Sequence, residues 1–218
     1  GNLLAQTVIR SDVYGSDADA FIAALAAAIK SCVEASGVDD IRGVGVGEPN
    51  ANYYTGQICN AANLAWASDK SVDFARLLSE QLGGIPVSLT NDANAAAWGE
   101  AVAGAAKGAK NAVCITLGTG VGGGIIIDGK IYSGSNFAGA EIGHTVIEVD
   151  GVQCSCGRKG CFEAYSSATG LIRMTNEAIA EHPDSIMAEM AKTAKVTART
   201  SFDAMRDGDE YAKVVVDK

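Results

Sequence analysis

An α/β fold is what this sequence predicts, and three observations predict it. Short apolar segments alternate with stretches of helical periodicity along the first half of the chain. A nearly continuous apolar run, Ala112 to Leu117, reads as a strand suited to burial on both faces. Acidic or glycine-rich turns follow such strands, where α/β sheets gather their ligands.

The elements follow in order. Gly1 to Ile9 reads as a turn entering a strand. Phe21, Leu25, Ile29 and Cys32 recur at spacings of four and three, which predicts a helix from Asp17 to Ser36, with Ser16 or Asp17 as cap and Gly37 as stop. Ile41 to Gly47 is a Gly/Val strand that runs into a loop carrying Glu48, Pro49 and Asn50. Phe74, Leu77, Leu78 and Leu82 form one face of a helix from Val72 to Leu82. Ile85 to Leu89 is a strand with Pro86 near its start, and Asn91 to Ala106 is an Ala-rich helix. Gly and Lys collect at 107–111, so two lobes are expected, 1–106 and 107–218. After Ala112–Leu117 and the glycines of 118–124, Ile125 to Ile127 pairs through an Asp128-Gly129 turn with Lys130 to Tyr132. Thr145 to Val149 is read as a further strand, and the chain from Phe162 onward as mostly helical. With no strand to pair near Gly1 and none after Phe162, the fold is expected to be incomplete at both ends.

Composition narrows the function. The 218 residues carry 17 basic and 26 acidic side chains, a net charge of −9. No basic face exists to neutralise phosphates, so nucleic acid is not an expected partner of this chain. Apolar runs fall short of a membrane span and Gly1-Asn2-Leu3-Leu4 is no secretory leader, so a cytoplasmic protein is expected. Cys32, Cys59 and Cys114 sit in apolar surroundings and read as buried free thiols.

The other three cysteines fall within eight residues of one another. His144, Cys154, Cys156 and Cys161 give a His-x9-Cys-x-Cys-x4-Cys spacing whose donors suit a closed, structural Zn²⁺ shell. Gly157 and Gly160 supply the turning freedom to wrap three thiolates round one ion. The alternative is three surface thiols beside an unrelated histidine; a redox pair lacks its Cys-x-x-Cys. His182, before Pro183, reads as a solvated helix-end residue.

Gly118-Thr119-Gly120 after a strand suits backbone N–H donation to phosphate oxygens, or is a ligand-free turn. It fits neither a Walker loop nor a Rossmann fingerprint. Asp92 opens a helix after a strand, as a cap or as a general base on a substrate hydroxyl that Asn91 orients. Glu141 and Glu163 flank the cysteine loop; a metal there would hold both near one point, suited to neighbouring sugar hydroxyls, and otherwise they are solvated acids.

Together, Thr90-Asn91-Asp92-Ala93-Asn94, Leu117-Gly118-Thr119-Gly120-Val121-Gly122-Gly123-Gly124, Gly139-Ala140-Glu141-Ile142-Gly143-His144 and the segment from Cys154 to Glu163 resemble the ROK (repressor, open reading frame, kinase) family. Asn50 to Leu64 looks most like its glucokinases. The resemblance implies an actin-like (ribonuclease H-like), two-lobed sugar kinase that transfers the ATP γ-phosphoryl group to a hexose, glucose first. Asp92 would be the base; Asn63, Asn91, Glu141, His144 and Glu163 would hold the sugar. His144 would keep one ring nitrogen on zinc and turn the other to the sugar. Gly118, Thr119 and Gly120 would face the phosphates, with Mg²⁺ accompanying ATP and a homodimer as the assembly. The family's Asp-x-Gly-Gly-Thr turn is not found, and Gly47-Glu48-Pro49-Asn50 stands in place of the commoner Pro-Gly sugar loop. The alternative within the family is a sugar-responsive repressor whose DNA-binding segment lies outside this chain.

Overall fold

The structure, a computed structural model, describes residues 2–61, 64–135 and 139–218. Contacts divide the chain into two units: Gly1–Ala112 with Ile126–Ile131, and Val113–Ile125 with Tyr132–Lys218.

In the first unit, α1 (Ala18–Ser36) starts where the Asp17 carboxylate accepts the Ala20 N–H at 2.9 Å and stops at Gly37, whose φ of 68° no β-carbon opposes. Then come β1 (Val44–Gly47), β2 (Ala51–Asn52), β3 (Gln57–Cys59), β4 (Ser71–Val72), α2 (Phe74–Gln81), β5 (Val87–Thr90) and α3 (Asp92–Ala103). β1 and β5 run parallel, from Val44↔Val87 to Gly47↔Thr90, so their C-terminal ends lie side by side. β2, β3 and β4 form an antiparallel ribbon. The core is aromatic: Trp66 stacks on Phe21 at 5.0 Å and on Phe74 at 5.8 Å between ring centroids, among buried Ile22, Ile58, Leu78 and Leu89.

β6 (Ala112–Leu117), β7 (Val121–Ile127) and β8 (Lys130–Ile131) make a third sheet in that order. Asp128 and Gly129 turn β7 into β8 with φ of 51° and 74°, as a two-residue hairpin requires. The second unit continues with α4 (Glu163–Ser166), α5 (Ala168–Glu181), α6 (Ile186–Thr193), α7 (Thr200–Arg206) and α8 (Glu210–Asp217), packed on Met174, Met187, Ala204, Ala212 and Val215.

Several expectations are corrected. Leu3 to Ile9 forms no strand. β6 is not buried on both faces: Val113, Ile115 and Leu117 are exposed while Ala112, Cys114 and Thr116 are half-buried, because its alternate side chains are covered on one side only. β7 begins at Val121, drawing Gly122 to Gly124 into the strand. Thr145–Val149 makes one bridge, Val146↔Cys161, instead of a strand, since the N–H groups of Ile147 and Glu148 both turn to the Gly160 carbonyl. Cys32, Cys59 and Cys114 are half-buried. His182 is not a free solvated ring: it stacks on Tyr211 at 3.6 Å and 10°.

Candidate active site and metal centre

In the second unit a knot of tight turns brings four donors together. Gly160 sits at φ 75° with its Cα against the Glu148 carbonyl, so close that any side chain would collide, and the Gly160 N–H reaches the Val152 carbonyl at 2.8 Å. The Tyr165 hydroxyl, itself buried, accepts the Val152 N–H at 2.8 Å. As a result an imidazole nitrogen of His144 and the Sγ atoms of Cys154, Cys156 and Cys161 all lie within 4.8 Å of one another. His144 Nδ1 stands 3.7 Å from Cys154 Sγ, and Cys156 Sγ 3.6 Å from Cys161 Sγ. Tetrahedral zinc with its usual bond lengths separates its ligand atoms by about 3.6–3.8 Å. The donor set and its spacing therefore fit such an ion.

The electrostatics divide the thiols. Cys156 is pushed down to about 6, first by the Arg158 backbone N–H and then by its guanidinium, whereas burial pushes Cys161 up to about 11. Arg158 also donates to the His144 carbonyl at 2.8 Å and so ties the cysteine segment to the histidine turn.

Glu163 links this knot to the glycine turn. Its Oε2 accepts the Val121 N–H at 2.9 Å, and its Oε1 lies 3.4 Å from Ser155 Oγ and 3.9 Å from Cys154 Sγ. The turn's carbonyls are held by the start of α5: Ala168 N–H donates to Gly118 at 2.9 Å and the Thr169 hydroxyl to Thr119 at 2.8 Å. Gly118 N–H closes on the Gly120 carbonyl at 3.0 Å. The amides of Thr119 and Gly120 have no acceptor among the described residues. Glu141 is exposed and caps the 3-10 turn Ile142–His144 without a side-chain bond; Gly143 packs that turn directly on Val121. Glu141, His144, Glu163 and the glycine turn thus share one unit and one neighbourhood. With Nδ1 facing the thiols, His144 keeps Nε2 for another partner.

The first unit holds Asn91 and Asp92. Asp92 is exposed on the first turn of α3, where Asn91 caps the helix through Oδ1, accepting the N–H groups of Ala93 at 2.9 Å and Asn94 at 3.2 Å. Asn91 Nδ2 donates to the Pro49 carbonyl at 3.2 Å. The Asn91 side chain is therefore largely spent on structure, with one amide hydrogen to offer. Asn63 lies outside the described residues. Glu48, which the sequence placed in the loop without a site role, precedes that Pro49 and touches the same strand ends; its place after a Gly-x-Gly strand was the available signal.

The chain is similar to known proteins. The family model described as ROK family matches residues 9–218. The glucokinase of Halalkalibacterium halodurans is 44% identical over 181 residues, 82% of this chain and 54% of that protein. The xylose repressor of Bacillus subtilis is 35% identical over 131 residues, 60% of this chain and 33% of that protein. The crystal structure of a ROK family glucokinase from Streptomyces griseus, in complex with glucose and AMPPNP, superposes with a TM-score of 0.74 at 30% identity, covering 97% of this chain and 66% of that one. The fold is accordingly the actin-like α/β fold of the ROK sugar kinases. The chain spans about half the length of the first of these relatives.

Proposed function

Since this chain belongs to the ROK family, we propose that it phosphorylates a hexose, glucose first, with ATP as donor. The observation that carries the reading is Asp92: an exposed carboxylate on the first turn of a helix, at the paired C-terminal ends of β1 and β5. As the sugar oxygen bonds to the γ-phosphorus and ADP leaves, the hydroxyl proton passes to Asp92. Glu141, Glu163, His144 through Nε2 and the remaining Asn91 N–H hold sugar hydroxyls, with Asn63 assigned by family resemblance. Gly118, Thr119 and Gly120 face the nucleotide phosphates, and the unspent amides of Thr119 and Gly120 support that role. Mg²⁺ accompanies ATP. His144, Cys154, Cys156 and Cys161 hold Zn²⁺, which supplies a structural cross-link and no open coordination position. The protein works as a cytoplasmic homodimer.

Glucose-dependent ADP release tests the reading. Asp92→Asn lowers the rate by about 10²–10⁴-fold, the usual cost of losing a general base. A variant that keeps most of the parent rate removes Asp92 from this role, and a chain without saturable glucose binding removes the sugar altogether. The similarity to the xylose repressor favours a second reading, a sugar sensor. Saturable sugar binding with no phosphoryl transfer would select it.

A further inference from the structure

Glu48 has no part in the scheme above, yet its surroundings are unusual for a loop carboxylate. It follows β1 directly, and its N–H donates to the Thr90 carbonyl at the end of β5 at 3.0 Å. Its Oε2 accepts the Asn50 N–H at 2.7 Å, which folds the loop over Pro49. Pro49 in turn receives the Asn91 amide, so Glu48, the loop and the cap of α3 form one hydrogen-bonded chain. A β-carbon placed on neighbouring Gly47 would stand 3.3 Å from Asp92 Cα, which shows how closely the loop approaches the base. The second oxygen, Oε1, is closed off from solvent and has no partner among the described residues. A carboxylate oxygen left so is disfavoured in its charged form.

We propose that Glu48 is a positioning residue for Asp92, holding residues 48–50 against the start of α3 so that its own charge state bears on how the base meets the sugar. The groups facing it are few. They are the Thr90 carbonyl from β5, the Asp92 carboxyl from α3 and the Asn50 N–H from its own loop. Asp92 is the one titratable neighbour acting on it among the described residues. Burial first, and the charge of Asp92 after it, lift the Glu48 carboxyl above its ordinary range, against the Asn50 hydrogen bond. The charge of Asp92 thus reaches Glu48, and its removal eases ionisation of the Glu48 carboxyl.

The inference rests on Asp92 being the base, and the experiment separates the two. Side-chain carboxyl carbons of the 218-residue chain are titrated by NMR, in the parent and in Asp92→Asn. Glu48 is expected to titrate at lower pH in the variant, as removal of a nearby like charge does. Glucose affinity is then followed from acid to neutral pH in the parent, Glu48→Gln and Glu48→Ala. Gln keeps an oxygen for the Asn50 N–H but no charge, so its acidic limb of affinity moves to lower pH; Ala also loses the clamp and binds more weakly at every pH. A Glu48 midpoint that is the same with and without the Asp92 charge overturns the coupling. So does a Glu48→Gln limb that superposes on the parent's while glucose still binds. Absence of glucose binding in the parent overturns the sugar-kinase reading instead, and the NMR comparison still decides whether the two carboxyls are linked.

Discussion

The aromatic stack of the first unit and the cysteine knot of the second are held by different physics. Trp66, Phe74, Ile22 and Leu78 are almost wholly enclosed and contact one another, so that region gains its order from apolar burial. Between Gly143 and Glu163 the pattern reverses: residues 145–150 and 155–159 are exposed, and the enclosed side chains are Cys154 and Cys161. A loop with so little apolar surface to bury has few intrinsic means of paying for its chain entropy. Its order is therefore expected to depend on a metal held by the four clustered donor atoms. On that reading the region that carries the candidate sugar residues is conditionally ordered, and the region that carries Asp92 is not.

The largest effect follows from that difference. Zinc chelation, or Cys161→Ser, removes a cross-link of the kind worth roughly 10–16 kcal/mol in small structural sites. Amides between Gly143 and Glu163 are expected to lose hydrogen-exchange protection by orders of magnitude, while those of α1 and α2 keep theirs. Equal protection of the loop with and without metal would erase the contrast between the two regions.

The converse test acts on the stack. Trp66→Ala deletes a side chain that is 1% exposed and packed against two rings. The expected loss is about 3–5 kcal/mol, read from denaturant unfolding followed by circular dichroism. Metal uptake by the cysteine knot is the control and should be retained. A loss below 1 kcal/mol would mean that the first unit does not depend on its aromatic core.

These two regions also differ in how far the sequence revealed them. The clustering of the four candidate donors was legible because thiolate and imidazole chemistry is rare and their spacing is local. Asp17, Gly37 and the Asp128-Gly129 turn were legible for the same local reason, since each acts within a few residues. What escaped was set by distant partners. The exposure of Val113, Ile115 and Leu117 depends on which elements cover β6, and no periodicity reports that. Thr145–Val149 has strand composition, but the carbonyl of Gly160 captures its amides. The Asn91 side chain looked free for a ligand until Pro49, 42 residues away, took its amide.

Asp209 belongs to the same illegible class and supplies the smallest test. Its side chain is 5% exposed, yet an acid at that point in the sequence reads as a plain helix cap. One oxygen does cap α8, accepting the N–H groups of Tyr211 at 2.9 Å and Ala212 at 3.1 Å. The other reaches back 22 residues to the Met187 N–H in the first turn of α6, at 3.0 Å. The carboxylate thus sits at the starts of two helices, where their dipoles favour its charge. Asp209→Ala leaves three donors, two of them buried, without that acceptor and is expected to cost about 2–3 kcal/mol. Asp209→Asn retains an acceptor for one helix start and should cost less. Chemical denaturation of both variants, with exchange at the cysteine loop followed alongside, measures the effect. If Ala and Asn are equally mild, the helical end of the second unit is held by Met174, Met187 and their apolar neighbours alone. It then resembles the aromatic stack, and the cysteine knot stands as the one polar-held region of the contrast.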